Sequence, residues 1–483
     1  MRNRIQRGTL AFRRIFSDLH LRELIKHGAF NFGLRLLSGA IAFLFLVVLG
    51  RRLGPEGVGA YVLVLAVTRA VVVVARMGMS GALIRFIAAE AEAGRWDRVR
   101  GVFRQAFVAV SASALLLSAV LWVAGGALSS AFGVELRVEF RWIAVAVYPA
   151  ALTWLFFGAL SGLKRVREAT FVQVLVQPMV TLPVFLLLAA RDGAAPLDAV
   201  QAYVAGQGGA ALLGAVLWLR ARPAGPRAFE WGTLGRMALP FFWVNFLGFV
   251  DGWTATFALG VWGTSAEVGL YNAALRMALL TSYVLVGVNS IAAPKFAALH
   301  ERGDALNVRR TAVNASRLMT VMAAPALVVF LVLPGWPLGL FGAEFVAAAP
   351  LLMLMALGQA VNVATGAVSQ LLGMTGREKV LRNVTLVAVA TNVVLTLILV
   401  PAFGATGAAV STTASWMLFN VGCTIAVRYY LGYWVHCFAS APKEAPRPPV
   451  EERAPDDQAG AGDAADTRAA SLTYHPSSSS SPS

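Results

Sequence analysis

Charge is scarce in this chain. Asp, Glu, Lys and Arg make up only 14% of its 483 residues, against 58% hydrophobic, and the mean hydropathy is +0.68. A water-soluble fold of this length needs far more surface charge, so soluble enzymes and soluble binding domains are excluded and lipid is the expected solvent. Cysteine is scarcer still. Cys423 and Cys437 lie 14 apart on one predicted helix, about 21 Å along its axis and too far to pair. The five histidines (His20, His27, His300, His436 and His475) lie in connecting segments or at a span end without mutual ligand spacing, so no metal site is expected. Acids number 25 against 41 lysines and arginines, for a net charge of +16. The basic residues sit in short connections between apolar runs, which is where a membrane protein carries them and not how a nucleic-acid surface is built. No P-loop or Ser-His-Asp arrangement occurs, and the longest outer connection, about 125–140, offers only Glu135, Arg137 and Glu139. A membrane glycosyltransferase or polymerase needs more than that. The chain reads as a carrier without catalytic residue or cofactor, not an enzyme.

Long apolar runs are what the chain has in abundance. About 20 mainly apolar residues cross a bilayer, and by that rule twelve spans are predicted: 28–49, 56–78, 103–124, 141–162, 169–190, 198–219, 237–260, 266–291, 312–333, 346–372, 380–401 and 406–431. Eight basic residues precede or open the first span, and alternate connections then carry five, three, four, four and three, a total of 27 against 5 on the other side. The positive-inside rule therefore predicts a multi-pass protein with both termini in the cytoplasm. A capped, partly amphipathic helix over 17–30 leads from the basic segment 1–27 into the first span, and the Pro-, Ser-, Asp- and Ala-rich residues 439–483 read as a disordered cytoplasmic tail.

The connection "LGRRLGPEGVGAY" (49–61) recurs as "LGVWGTSAEVGLY" (259–271), 210 residues later. "AEAGRWDRVRG" (91–101) is echoed by "HERGDALNVRR" (300–310), and "LSGLKRVREATF" (160–171) by "LLGMTGREKVLR" (371–382), at offsets of 209 and 210. A common offset points to duplication. Two six-helix halves, 28–220 and 237–435, are expected, joined by a cytoplasmic linker over 221–236. Six spans per half is an even number, so both halves enter from the same side and relate by an axis along the membrane normal.

The stretch from Leu49 to Phe107, with its LGxxxxGxY turn, the small-residue "RMGMSGALIRF" and the short "AEAGRWDRVR" connection, resembles the polysaccharide and oligosaccharide flippases. These form a branch of the multidrug/oligosaccharidyl-lipid/polysaccharide exporter superfamily. The resemblance implies an all-α integral membrane protein of about twelve helices around a central cavity. It also implies transfer of a polyprenyl-diphosphate-linked glycan, for O-antigen or exopolysaccharide synthesis, across a bacterial cytoplasmic membrane. Membrane lipid and a polysaccharide polymerase are the implied partners. The alternatives within the superfamily are a cation-coupled multidrug antiporter and a lipid II flippase, the latter usually having fourteen spans.

The sign of intramembrane charge separates these. A cavity for cationic drugs should offer carboxylates, whereas one for a diphosphate should offer guanidinium groups. Only Asp251 of the acids lies deep in a predicted span, against Arg35, Arg69, Arg76, Arg276 and Arg317. Arg35, Arg76 and Arg317 fall within about two turns of a cytoplasmic end and can snorkel. Arg69 and Arg276 are deeper. Asp251 and Arg276 fall at one depth on sequential antiparallel helices, a geometry that permits a salt bridge. Asn245, Asn272 and Gln177 are candidates to line the cavity or to bond a neighbouring helix. Pro240 and Gly248, with Gly33 and Gly39, are the hinge candidates.

Overall fold

The computed structural model describes residues 19–133, 136–191, 193–222 and 233–440. Most of the segment 1–27, most of the linker and nearly all of the tail expected from sequence lie outside them. Every regular element described is helical, as lipid demands of a backbone that must satisfy its own hydrogen bonds.

Helix α1 (Leu19–Ala75) runs 57 residues but is broken at Gly54, where φ is 65° and ψ −175°. It is followed by α2 (Met79–Glu92), α3 (Trp96–Ala131), α4 (Arg137–Gly162), α5 (Val166–Ala189, with a π-helical stretch at Phe171–Val176) and α6 (Pro196–Ala221). Beyond the linker come α7 (Thr233–Trp262), α8 (Ser265–Leu279), α9 (Ser282–Glu301), α10 (Ala305–Val332), α11 (Ala349–Thr365), α12 (Val368–Met374) and α13 (Glu378–Leu431). The last is broken at Gly404, with φ 54° and ψ −133°. Helix α13 ends at Leu431, so Cys437 lies beyond it and does not share one helix with Cys423; both thiols are free.

Ten helices among the described residues are long and apolar enough to cross a membrane. Two of these contain the broken glycines. A Cβ added at Gly407 would strike the backbone of Leu399, which a straight helix would hold about 12 Å away. A Cβ at Gly57 would lie 2.5 Å from that of Leu53, roughly half the spacing of such a pair on a regular helix. The chain doubles back at Gly404 and turns sharply at Gly54. The twelve crossings expected from sequence require each arm of these two helices to cross by itself.

The surface is apolar where a soluble protein would be charged. Val123, Leu187, Leu212, Val244, Val321 and Trp336 are all more than 60% exposed, and they face the lipid. Polar groups turn inward instead, among them Thr68, Arg76, Asn272, Gln359, Asn392, Thr396 and Ser411.

Helices α3 to α6 pack chiefly on one another, as do α7 with α13, and α10 with α9 and α11. The two sets meet along α1 and α2 on one side and α7 and α8 on the other. At that seam a Cβ on Gly59 would overlap the backbone of Ser265, and a Cβ on Gly269 would overlap the backbone of Pro55. The contact is reciprocal under the 210-residue offset: Gly59 maps to Gly269, and Pro55 to Ser265. Glycine is required at both positions because two backbones touch there.

Candidate functional site

The arm of α1 after Gly54 carries Tyr61 and Arg69 and ends at Arg76. Met77 (φ 46°) and Gly78 (φ 72°) then interrupt the helix before α2 continues. Gly78 lies against the backbone of Ala238 and Phe242 on α7. A residue without a side chain is needed there both for the left-handed turn and for the approach.

Arg76 is buried, with 6% exposure. Its Nη2 donates to Asn245 Oδ1 at 2.8 Å, and its guanidinium lies 4.3 Å from the centre of the Trp154 ring. Its Nε and Nη1 are buried without a partner, and so is Nε of Arg69. Arg276, on α8 three residues before that helix ends at Leu279, is exposed. Arg69 stands within electrostatic reach of both Arg76 and Arg276, and Tyr61 within reach of Arg69 and Arg276.

No described acid neutralises these three cations. The ion pairs among the described residues, Arg95–Glu90, Arg98–Glu90, Lys164–Glu92 and Arg165–Glu168, all lie in the connections or at helix ends. Buried guanidinium nitrogens without acceptors are costly, and a polyanion is what would satisfy them. Arg76 and Arg276 sit beside the breaks that divide α1 from α2 and α8 from α9, and Arg69 lies two turns before the first of them. Interrupted helices at mid-membrane are where carriers commonly build a substrate site.

The expected salt bridge between Asp251 and Arg276 is not formed. Asn392 of α13 donates its Nδ2 to Asp251 Oδ1 at 3.2 Å and to the Asp251 carbonyl at 2.9 Å. Matching depth says nothing of azimuth, and Asp251 turns towards α13. Around it Thr396 bonds Ser411 at 2.9 Å and lies 3.4 Å from Asn392, while Tyr271 and Thr412 hydroxyls are 2.9 Å apart. A partly buried carboxyl held by an amide donor within a polar network can take up or release a proton.

The other sequence candidates separate. Asn245 is brought to the site as the acceptor for Arg76. Asn272 is buried and bonds Thr256 and the Val268 carbonyl, which makes it a link between α7 and α8. Gln177 bonds Thr181 within α5. Arg35 is exposed; Arg317 donates to the carbonyls of Cys437 and Ala439 instead of reaching the cavity. The helices pass through Pro240, Gly248, Gly33 and Gly39 without a non-helical residue. The discontinuities fall at Met77–Gly78, between α8 and α9, and at Gly366. Arg76 was readable only through its neighbours "RMGMSG", whose glycines mark the break.

Residues 24–300 match the family described as polysaccharide biosynthesis protein. The chain belongs to that family. Over 178 residues this family member is 27% identical to Agl15, a probable low-salt glycan biosynthesis flippase of Haloferax volcanii. That alignment takes in 36% of this chain and 37% of the relative, so the chain spans less than two-fifths of the length of the curated protein it matches. Likeness of fold extends further. An inward-facing multidrug resistance MATE family transporter of the MOP superfamily superposes with a TM-score of 0.66 at 13% identity, over 84% of this chain and 98% of the other. The lipid II flippase MurJ, in an inward closed conformation, gives 0.67 at 12% identity over 82% and 86%. The all-helical exporter fold expected from sequence is the fold of this family member.

Proposed function

We infer that this protein is a flippase carrying a lipid-diphosphate-linked oligosaccharide across the cytoplasmic membrane of a bacterium for surface polysaccharide synthesis. The observation that carries the reading is Arg69, within electrostatic reach of both Arg76 and Arg276, with buried nitrogens unpaired on Arg69 and Arg76 and no ion pair to a described acid. The diphosphate is held by guanidinium pairs, the glycan fills the space between the halves, and the lipid tail stays in the bilayer. The halves 28–220 and 237–435 rock about the seam at Gly59 and Gly269, whose reciprocal contact supports the two-half reading. Asp251 couples the motion to a proton gradient. A polysaccharide polymerase takes up the delivered glycan, and both termini stay in the cytoplasm.

The multidrug antiporter reading fits less well, because three cations against one carboxylate repel a cationic drug. Purified protein in liposomes with a tagged polyprenyl-diphosphate oligosaccharide on one leaflet tests the proposal. Lectin access from the opposite side should grow with time for the native chain and stay at the protein-free level for Arg69→Gln/Arg276→Gln. Export of ethidium without glycolipid movement would sink it, and movement of lipid II alone would shift the assignment to the second flippase class.

A further inference from the structure

A second cationic feature lies apart from Arg69, Arg76 and Arg276, on α3 and α6. Arg100 and Arg104, on the first turns of α3, and Arg222, capping the end of α6, border a crevice of about 190 Å³ with Phe103, Phe107 and Trp218. Phe103 stacks on Trp218 with centroids 4.1 Å apart, giving the crevice a rigid apolar floor. Arg104 and Arg222 are exposed, and no ion pair among the described residues engages either. Cations at a helix end favour the backbone dipole, and this accounts for Arg222 alone. It does not account for Arg104, which stands more than two turns into α3, beyond the reach of the terminal dipole.

One turn deeper on the same helix faces stand Val108 and Leu219, 47% and 56% exposed. Guanidinium groups at the membrane edge therefore lead directly onto apolar surface. A molecule filling both must carry an anion at one end and an aliphatic chain at the other. We propose that this crevice binds the phosphate of an anionic phospholipid from the cytoplasmic leaflet, whose acyl chain runs past Val108 and Leu219. The guanidinium planes meet phosphate oxygens bidentately, and the negative leaflet supplies the ligand at high local concentration. The site is independent of the flippase reading, since its lining shares no residue with the set Arg69, Arg76 and Arg276.

Melting of the purified full chain in detergent tests it, with phosphatidylglycerol, phosphatidylcholine and inorganic phosphate as separate additives. Phosphatidylglycerol should raise the melting temperature by about 3 °C or more, and phosphatidylcholine should not. The shift should vanish in Arg104→Gln/Arg222→Gln and persist in Arg377→Gln/Arg382→Gln, which removes equal charge from another basic connection. Arg104→Lys/Arg222→Lys should fold normally and recover part of the shift if the double glutamine variant is poorly folded. An equal shift with inorganic phosphate would overturn the lipid assignment. Equal losses in the two glutamine pairs, or a shift with phosphatidylcholine, would reduce the effect to general surface charge and overturn the site.

Discussion

Arg76 and Arg69 illustrate how much a single residue's surroundings decide. Arg76 has one hydrogen bond and an aromatic ring but two orphan nitrogens, so it has a rigid pose with donors to spare. Arg69→Lys should retain part of the transport, whereas Arg69→Gln should lower it about tenfold or more at unchanged protein level. Arg76→Lys should fall below Arg69→Lys, because a lysine cannot keep both the stack on Trp154 and a fork of donors. Rates of glycolipid movement at matched protein amount check both; full activity in Arg69→Gln would remove it from the binding machinery. Arg69 and Arg276 were legible in the sequence because their depth in an apolar run is a matter of counting. Arg76 was not. Its predicted span stops at 78, which makes the residue look terminal, but the chain resumes as a helix and runs on to Glu92, about 21 Å further.

At the scale of elements, glycine contacts and connection charges can be tested separately. Gly59→Ala and Gly269→Ala each push one backbone off another, so both should lower the yield of folded protein and the melting temperature, by similar amounts. Gly248→Ala, with nothing within 4 Å of the added carbon, should be neutral or slightly stabilising. Native melting in Gly59→Ala would show that the seam opens without cost. In the connection after α2, Arg95 Nε donates to Glu90 at 2.5 Å, holding the Glu90 carboxyl below its ordinary value despite its burial. A depressed carboxyl value contributes stability above the ordinary carboxyl range, and that contribution disappears as pH falls through the lower native value. Melting temperature followed from pH 7 to pH 3 should therefore decline less in Glu90→Gln than in the native chain. The difference should be small, because Arg95 is half exposed. Tight turns of this kind are local patterns and were legible from the two glycine strings alone. The Asp251 network was not, since it joins residues 141 positions apart on helices whose rotation no periodicity reveals.

The whole molecule is ordered by where charge is allowed. Cysteines placed at Glu56 and Thr264, exposed residues of the two repeated connections, should react with impermeant maleimide on intact cells, and those at Gly94 and Gly303 only after the inner face is opened. Labelling of Gly94 from outside would reverse the orientation. The all-helical, multi-span character was legible in the long apolar runs; the described residues form ten helices long enough to cross, because runs joined at Gly54 and at Gly404 merge into one long helix each.

The unneutralised arginines also bear on how the resting potential acts on the cycle. In the proposed cycle the three arginines of the site, offset by an ionised Asp251 on α7, leave the empty carrier at about +2, and a bound diphosphate diester would bring it to about zero. A potential of 100 mV, negative inside, acts on each elementary charge with about 2.3 kcal/mol if that charge traverses the full field. It therefore has little hold on the loaded stroke and draws the empty carrier back towards the cytoplasm. In proteoliposomes, a potassium diffusion potential of that sign should speed repeated turnover while leaving the first turnover unchanged. Acceleration of the first turnover instead would mean that the loaded carrier moves net charge.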